Sequence, residues 1–256
     1  MSRGTFSTSN FLRHAAGIVT AAPLTMAAWC WTTINNEPQH IIGLLNSGAA
    51  SARNCFRLKA DSTGLVGAET GGASGASQAN TSASYPTSTW FHAAAVYNIT
   101  SGTDRAAFLN GGNKGTQTTD RTPSGINRTS IGFQDNAAAN QPFGGTGTGD
   151  IALPAIWNTN LSDAEVALLA AGIPPWRVRP ENLVACWPLL NPVEAGDEAN
   201  WWPGNYLMSE QGTLPAGPHN PPVVLPFPWL RAPSIPLIEV AAGAPAFSQP
   251  AMLIGL

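Results

Sequence analysis

The chain reads as an all-β protein: an antiparallel β-sandwich with one short helix and a Pro-rich, extended C-terminal region. Three observations predict this. Only 11% of the 256 residues are charged, 43% are hydrophobic, and there are 26 Gly and 22 Pro; a chain so poor in charge cannot build many amphipathic helices with charged outer faces. Trp90-Phe91-His92-Ala93-Ala94-Ala95-Val96-Tyr97-Asn98 and Phe108-Leu109-Asn110-Gly111 read as two strands ending in a tight turn, because Asn-Gly readily adopts positive φ at both central positions. Short apolar or alternating runs between turn residues recur from the N-terminus to about residue 157.

Taken in order, those runs predict strands at Asn10–His14, Leu24–Thr32, Ile41–Asn46, Cys55–Ala60, Gly64–Glu69, Trp90–Asn98, Ala106–Asn110, Arg128–Phe133 and Gly149–Trp157. In Leu24–Thr32 both alternating sets are apolar, so both faces are expected to be covered. The Gly/Ala/Ser stretch Gly71–Ser84 and the Gly/Asn-rich residues 134–148 read as loops. Ser162-Asp163-Ala164-Glu165 is a capping box, Val166, Leu168 and Leu169 give an apolar stripe, and Gly172 is placed to stop the helix. About nine strands and one late helix suggest a β-sandwich.

Composition changes near Gly172-Ile173-Pro174-Pro175, with six prolines before residue 174 and sixteen from there on. The chain therefore divides into a sandwich, 1–173, a Pro/Trp-rich connecting segment or small subdomain, 174–217, and an arm, 218–256. Prolines this frequent exclude a central strand. The arm is also rich in Val, Leu, Ile, Phe and Trp. An apolar extended segment is expected to lie on something: its own sandwich, a sister subunit or a larger assembly.

Several function classes are disfavoured. A net charge of −3, with Lys59 and Lys114 the only lysines, leaves no basic stripe for nucleic acid. No run reaches the length of a membrane span, and Ala15–Trp31, broken by Thr20, Pro23 and Thr25, is a better strand than signal-peptide core. Cys30, Cys55 and Cys186 have no CxxC spacing; Cys30 reads as a buried free thiol, with a Cys30–Cys55 bridge as the alternative. His14, His40, His92 and His219 have no metal-ligand spacing. Asp135, Asn136, Asn140 and Asp150 are weak calcium candidates, and ordinary turn chemistry accounts for the same residues. No other cofactor is expected.

Five pieces in order resemble a known family: Pro23-Leu24-Thr25-Met26-Ala27-Ala28-Trp29, the Trp90–Tyr97 strand, Phe108-Leu109-Asn110-Gly111, Gly149-Asp150-Ile151-Ala152-Leu153-Pro154-Ala155-Ile156-Trp157, and Leu161-Ser162-Asp163-Ala164-Glu165. They look like the laminin-G-like, concanavalin A-like lectin/glucanase jelly roll, over roughly residues 4–172. Ala93 stands where that family usually has Val, and Leu153 where it has an acidic residue. The resemblance implies a jelly-roll topology, with Trp29, Trp90, His92, Tyr97, Asn110, Gly111, Trp157, Ser162 and Glu165 as fold-defining residues and His92 part of the framework. Glucanases on this fold carry their carboxylates in a Glu-x-Asp-x-x-Glu run. None occurs here, and Glu194, Asp197 and Glu198 sit in a Gly/Pro/Asn context that reads as a solvated loop. The chain is therefore not expected to be an enzyme.

Arg179-Pro180-Glu181-Asn182-Leu183-Val184-Ala185-Cys186-Trp187-Pro188-Leu189 resembles a segment that follows such jelly rolls in bacteriophage structural proteins. That second resemblance implies a virion component (a capsid decoration protein, head fibre or tail-associated protein). It would bind capsid or other virion proteins through the arm and self-associate, with a trimer as the analogue. The alternative is a carbohydrate-binding module for host or cell-surface glycans. In either case Trp201, Trp202, Tyr206, Phe227 and Trp229 are the candidate partner or glycan contacts.

Overall fold

A computed structural model describes residues 2–49, 54–98, 105–119, 121–137, 141–189 and 206–223. Strands run β1 (Arg3–Gly4), β2 (Phe11–His14), β3 (Leu24–Thr32), β4 (Gln39–Leu45), β5 (Cys55–Ala60), β6 (Leu65–Gly72) and β7 (Gly75–Ser84). They continue as β8 (Phe91–Tyr97), β9 (Arg105–Leu109), β10 (Gly112–Gln117), β11 (Arg128–Ile131) and β12 (Gly149–Trp157), then helix α1 (Asp163–Ala170), β13 (Leu183–Cys186) and β14 (Ser209–Gln211). Among the described residues these form two seven-stranded antiparallel sheets. One has the order β1-β12-β3-β8-β9-β10 with β13 also on β12, the other β14-β2-β11-β4-β5-β6-β7. We call them the helix-side sheet and the far sheet. Neighbours distant in sequence, such as β12 beside β3 and β11 between β2 and β4, make this a jelly-roll sandwich rather than a meander.

Alternation sets the core. Leu24, Met26, Phe91, Ala93, Ala95 and Tyr97 meet Ile42, Leu44, Phe56, Leu58 and Val66 between the sheets. The other set on the helix-side sheet, Ala27, Trp29, Ala94, Val96, Phe108 and Trp157, forms a second core with Leu161, Val166, Leu169 and Val178. Both faces of β3 are thus covered, as its unbroken apolar pattern predicts. Helix α1 is held as its sequence specifies. Ser162 Oγ accepts from the Glu165 amide at 3.3 Å, and Glu165 Oε2 accepts from the Ser162 amide at 2.7 Å. At its other end the Gly172 and Ile173 amides donate to Leu169 and Leu168 carbonyls around a Gly172 φ of 88°, a Schellman motif. Leu168, expected in the buried stripe, faces solvent. Replacing Ser162 by Ala is expected to cost about 1 kcal/mol in denaturant unfolding.

The Asn-Gly turn joins β9 to β10 with Asn110 at φ 52° and Gly111 at φ 74°. A Cβ on Gly111 would lie 2.8 Å from Ala167 Cα, so helix packing as well as turn geometry demands glycine there.

Two sequence expectations give way. Gly71–Ser84 is not a loop: it completes β6 and forms β7. The strand is made of small residues because β10 packs on it: a Cβ on Gly115 would stand 1.6 Å from the Asn80 carbonyl oxygen. The boundary expected at residue 173 also differs from the compact unit, which runs Met1–Val224. β13 adds to β12 and β14 to β2, and Trp187, Leu189, Met208 and Leu214 are buried in the central core. Proline-rich connections hid these short strands. Residues 225–256, and with them nearly all of the predicted arm, lie outside the described residues.

Candidate functional site

The outer face of the helix-side sheet is covered by α1 only in part. Beside the helix, an open cleft of about 420 Å³ lies over β8, β9 and β10. Val96, Ala106 and Phe108 line its base, all buried. On one side β10 and its continuation contribute Lys114, Thr116, Gln117 and Thr118, with Thr116 paired opposite Ala106. On the other side stand Asn160, Leu161, Ser162 and Asp163, the approach to α1 and its first residue. Lys114 Nζ lies 5.3 Å from the centre of the Phe108 ring and donates to both Asp163 oxygens, at 2.8 and 3.0 Å. Both side chains are solvent-exposed, so this pair adds little to stability. The result is an apolar base beneath a rim of exposed hydroxyl, amide and oppositely charged groups. Asp163 is the one carboxylate among the described lining residues.

The outer face of the far sheet carries a second polar group of a different kind. β5 presents Arg57 and Lys59, and β6 presents Glu69 opposite Arg57. Glu69 accepts from Arg57 through a charge-assisted pair and from Lys59 Nζ at 3.0 Å. Gln134, from the segment after β11, also accepts from Arg57. Burial opposes ionisation of both Arg57 and Glu69, but their mutual attraction overcomes it: the Arg57 pKa is raised and the Glu69 pKa lowered. On the same face Ser130 Oγ lies 3.2 Å from His40 Nε2. Burial, reinforced by Arg57 and Lys59, holds His40 well below the usual histidine pKa. Further along, Asp135 accepts from Arg13 at 2.6 and 2.8 Å and from Arg128 at 2.6 Å.

A model of the concanavalin A-like lectin/glucanases superfamily matches residues 6–167. The chain belongs to this superfamily. No curated protein matches its sequence. Among solved structures, a Bacteroides ovatus protein with an inferred carbohydrate-binding role aligns at TM-score 0.58 and 15% identity, over 87% of this chain and 62% of that one. The heptameric SAP-like pentraxin of Limulus polyphemus aligns at 0.53 and 14% identity, over 84% and 95%. The CBM40 of Ruminococcus gnavus IT-sialidase aligns at 0.50 and 16% identity, over 66% and 96%. At these identities the likeness is one of fold.

Within this superfamily fold the expected framework residues have definite places. Trp29 meets His92 edge to face at 5.4 Å, Trp157 Nε1 donates to the Val178 carbonyl at 2.9 Å, and Tyr97 donates across the sandwich to the Arg57 carbonyl at 2.7 Å. Trp90 packs partly buried against the second core. His92 is held by its backbone amide, which donates to Asn110 Oδ1 at 2.8 Å; its ring Nδ1 has no partner. Burial pulls the His92 pKa down to about 3. The unfolded chain therefore binds protons that the folded chain excludes between about pH 6.5 and pH 3, and stability falls with acidity there. His92→Phe is expected to flatten that limb by up to about 1.4 kcal/mol per pH unit, read from urea midpoints.

The calcium candidates are not brought together. Asp135 is neutralised by Arg13 and Arg128, Asn136 accepts from Gln134 at 3.0 Å, and Asp150 lies 2.7 Å from His219 Nδ1 on the other sheet. Among the described residues no three His, Cys, Asp or Glu side chains are placed to share a metal ion. No disulfide joins Cys30 to Cys55, which closes that alternative; all three thiols are buried, and burial raises the pKa of each, that of Cys55 to about 12. Tyr206 packs against the central core and its carbonyl accepts from Trp187 Nε1 at 2.8 Å. Trp201, Trp202, Phe227, Trp229, Asn140 and the Glu194–Glu198 cluster lie outside the described residues. Sequence reasoning missed both the cleft and the far-sheet ion network. The readable signal for the cleft was the run Lys114–Thr118 straight after the Asn-Gly turn.

Proposed function

We propose that the protein is a non-catalytic carbohydrate-binding module that holds a saccharide in the cleft between β10 and Asn160–Asp163. The cleft itself carries this reading. Its volume suits one or two sugar rings. Its base is closed by the buried side chains of Val96, Ala106 and Phe108, and its rim offers paired donors and acceptors to hydroxyl groups. Glycoside hydrolysis needs two carboxylates, and Asp163 stands without a second in the described lining. The Bacteroides ovatus protein with an inferred carbohydrate-binding role and the Ruminococcus gnavus CBM40, both of the same fold, support the assignment. The test is a glycan array probed with the full chain. Thr116→Trp, which fills the cleft from an exposed strand position, is expected to abolish binding. Lys114→Ala is expected to weaken it roughly tenfold to a hundredfold by removing a charged donor. Binding unchanged in both variants would refute the site.

A second reading is attachment within a virion through the C-terminal region. Residues 206–223 favour it, because they adhere to a sandwich in extended form. β14 adds to β2, Ala216 bridges Arg3, and His219 stacks on Trp31 at 3.7 Å. Deleting 225–256 separates the two readings: glycan binding survives the deletion under the first, and assembly is lost under the second.

A further inference from the structure

We propose that Arg13 and Arg128, on the outer face of the far sheet, form a recognition site for a carboxylate-bearing sugar, whose place is taken in the free protein by Asp135. The Arg13 fork holds Asp135 through Nε at 2.6 Å and Nη2 at 2.8 Å, and Arg128 Nη1 adds a third charged donor at 2.6 Å. Two guanidiniums thus meet a single carboxylate. Arg128 Nε is buried with no partner, so donor capacity remains. Arg57 and Lys59 beside Glu69 repeat the excess, so these two clusters set four cations against two carboxylates. This occurs in a chain whose Asp and Glu outnumber its Lys and Arg by 15 to 12.

The planar fork reads carboxylates bidentately, which a hydroxyl cannot imitate. Arg13 keeps about a third of its side chain in solvent, giving an entry side. Its guanidinium also lies 5.2 Å from the centre of the Phe11 ring, itself packed on Phe133 at 4.7 Å, which fixes its direction. An incoming carboxylate swings Asp135 out and takes over its three donors; no bond is made or broken. The site lies on the opposite sheet from the cleft and does not depend on it.

The experiment titrates the full chain with sodium glucuronate, glucose and sodium acetate at constant ionic strength, following amide chemical shifts. Glucuronate is expected to shift β2, β11 and residues 133–136, glucose not to shift them, and acetate to act more weakly. Asp135→Asn removes the internal competitor and is expected to tighten glucuronate binding about tenfold or more. Arg128→Gln and Arg13→Gln are expected to abolish it, while Thr116→Trp leaves it unchanged. Thermal midpoints show which variants remain folded, and the half-buried Arg13→Gln keeps the test open if Arg128→Gln unfolds. Equal response to glucose, no gain in Asp135→Asn, or undiminished binding in a folded arginine variant would overturn the proposal.

Discussion

Glu69→Ala is expected to destabilise the protein by about 3–5 kcal/mol, read as a drop in urea midpoint at unchanged slope. The reason is what the substitution leaves behind. Arg57 is 2% exposed and its charge is balanced by Glu69 at the centre of the far sheet. Removing the carboxylate strands a guanidinium in a medium that solvates it poorly, while Lys59 loses the same partner. The paired replacement Arg57→Met with Glu69→Leu is expected to recover most of the loss, because an apolar pair avoids the desolvation cost altogether. The pH dependence has a definite sign. Glu69 titrates below its unfolded value of about 4.3, so its contribution is complete above that pH and disappears as pH falls through the lower, folded value. In Glu69→Ala this part of the acid transition should be absent.

Trp187→Ala is expected to cost about 3–5 kcal/mol and to loosen residues 206–223. Trp187 is fully buried in the central core, and its indole N–H holds the Tyr206 carbonyl at 2.8 Å. Its amide also donates to the Pro154 carbonyl at 3.0 Å, continuing the ladder by which β13 extends β12. Loss of the ring opens a cavity and frees the point where the returning chain is fastened. Limited proteolysis should then cut near residues 206–223 in Trp187→Ala and not in the parent. For the same reason a chain ended at residue 173 is expected not to fold: it lacks Trp187, Leu189, Met208 and Leu214 from the core and β13 and β14 from the sheets. A folded, soluble 1–173 fragment would contradict this account of the compact unit.

How much of this could be read beforehand depended on side-chain size and on sequence distance. The Trp90–Tyr97 strand, the Asn110-Gly111 turn and the Ser162–Glu165 capping box were legible because their signals are local: apolar alternation, positive φ, reciprocal hydrogen bonds. β7 was not, since Ala, Ser and Thr at a sheet edge look like a loop until the close approach of β10 is known. β13 and β14 were missed because their stability comes from pairing with β12 and β2 rather than from their own composition. The ion network was invisible for a related reason. The register of the far sheet sets Arg57 of β5 beside Glu69 of β6 and brings Arg13 of β2 near Arg128 of β11, and the segment after β11 then returns Asp135 to both of these arginines. The cleft needs the β9–β10 hairpin and the approach to α1 side by side, though half of its rim was written in one run.

The most direct test of the carbohydrate-binding assignment is a map of backbone-amide shifts on the full chain titrated with the saccharide that the array selects. The account predicts saturable shifts at Val96, Ala106, Lys114–Thr118 and Asn160–Asp163. Their absence, or shifts confined to residues away from that cleft, would contradict it.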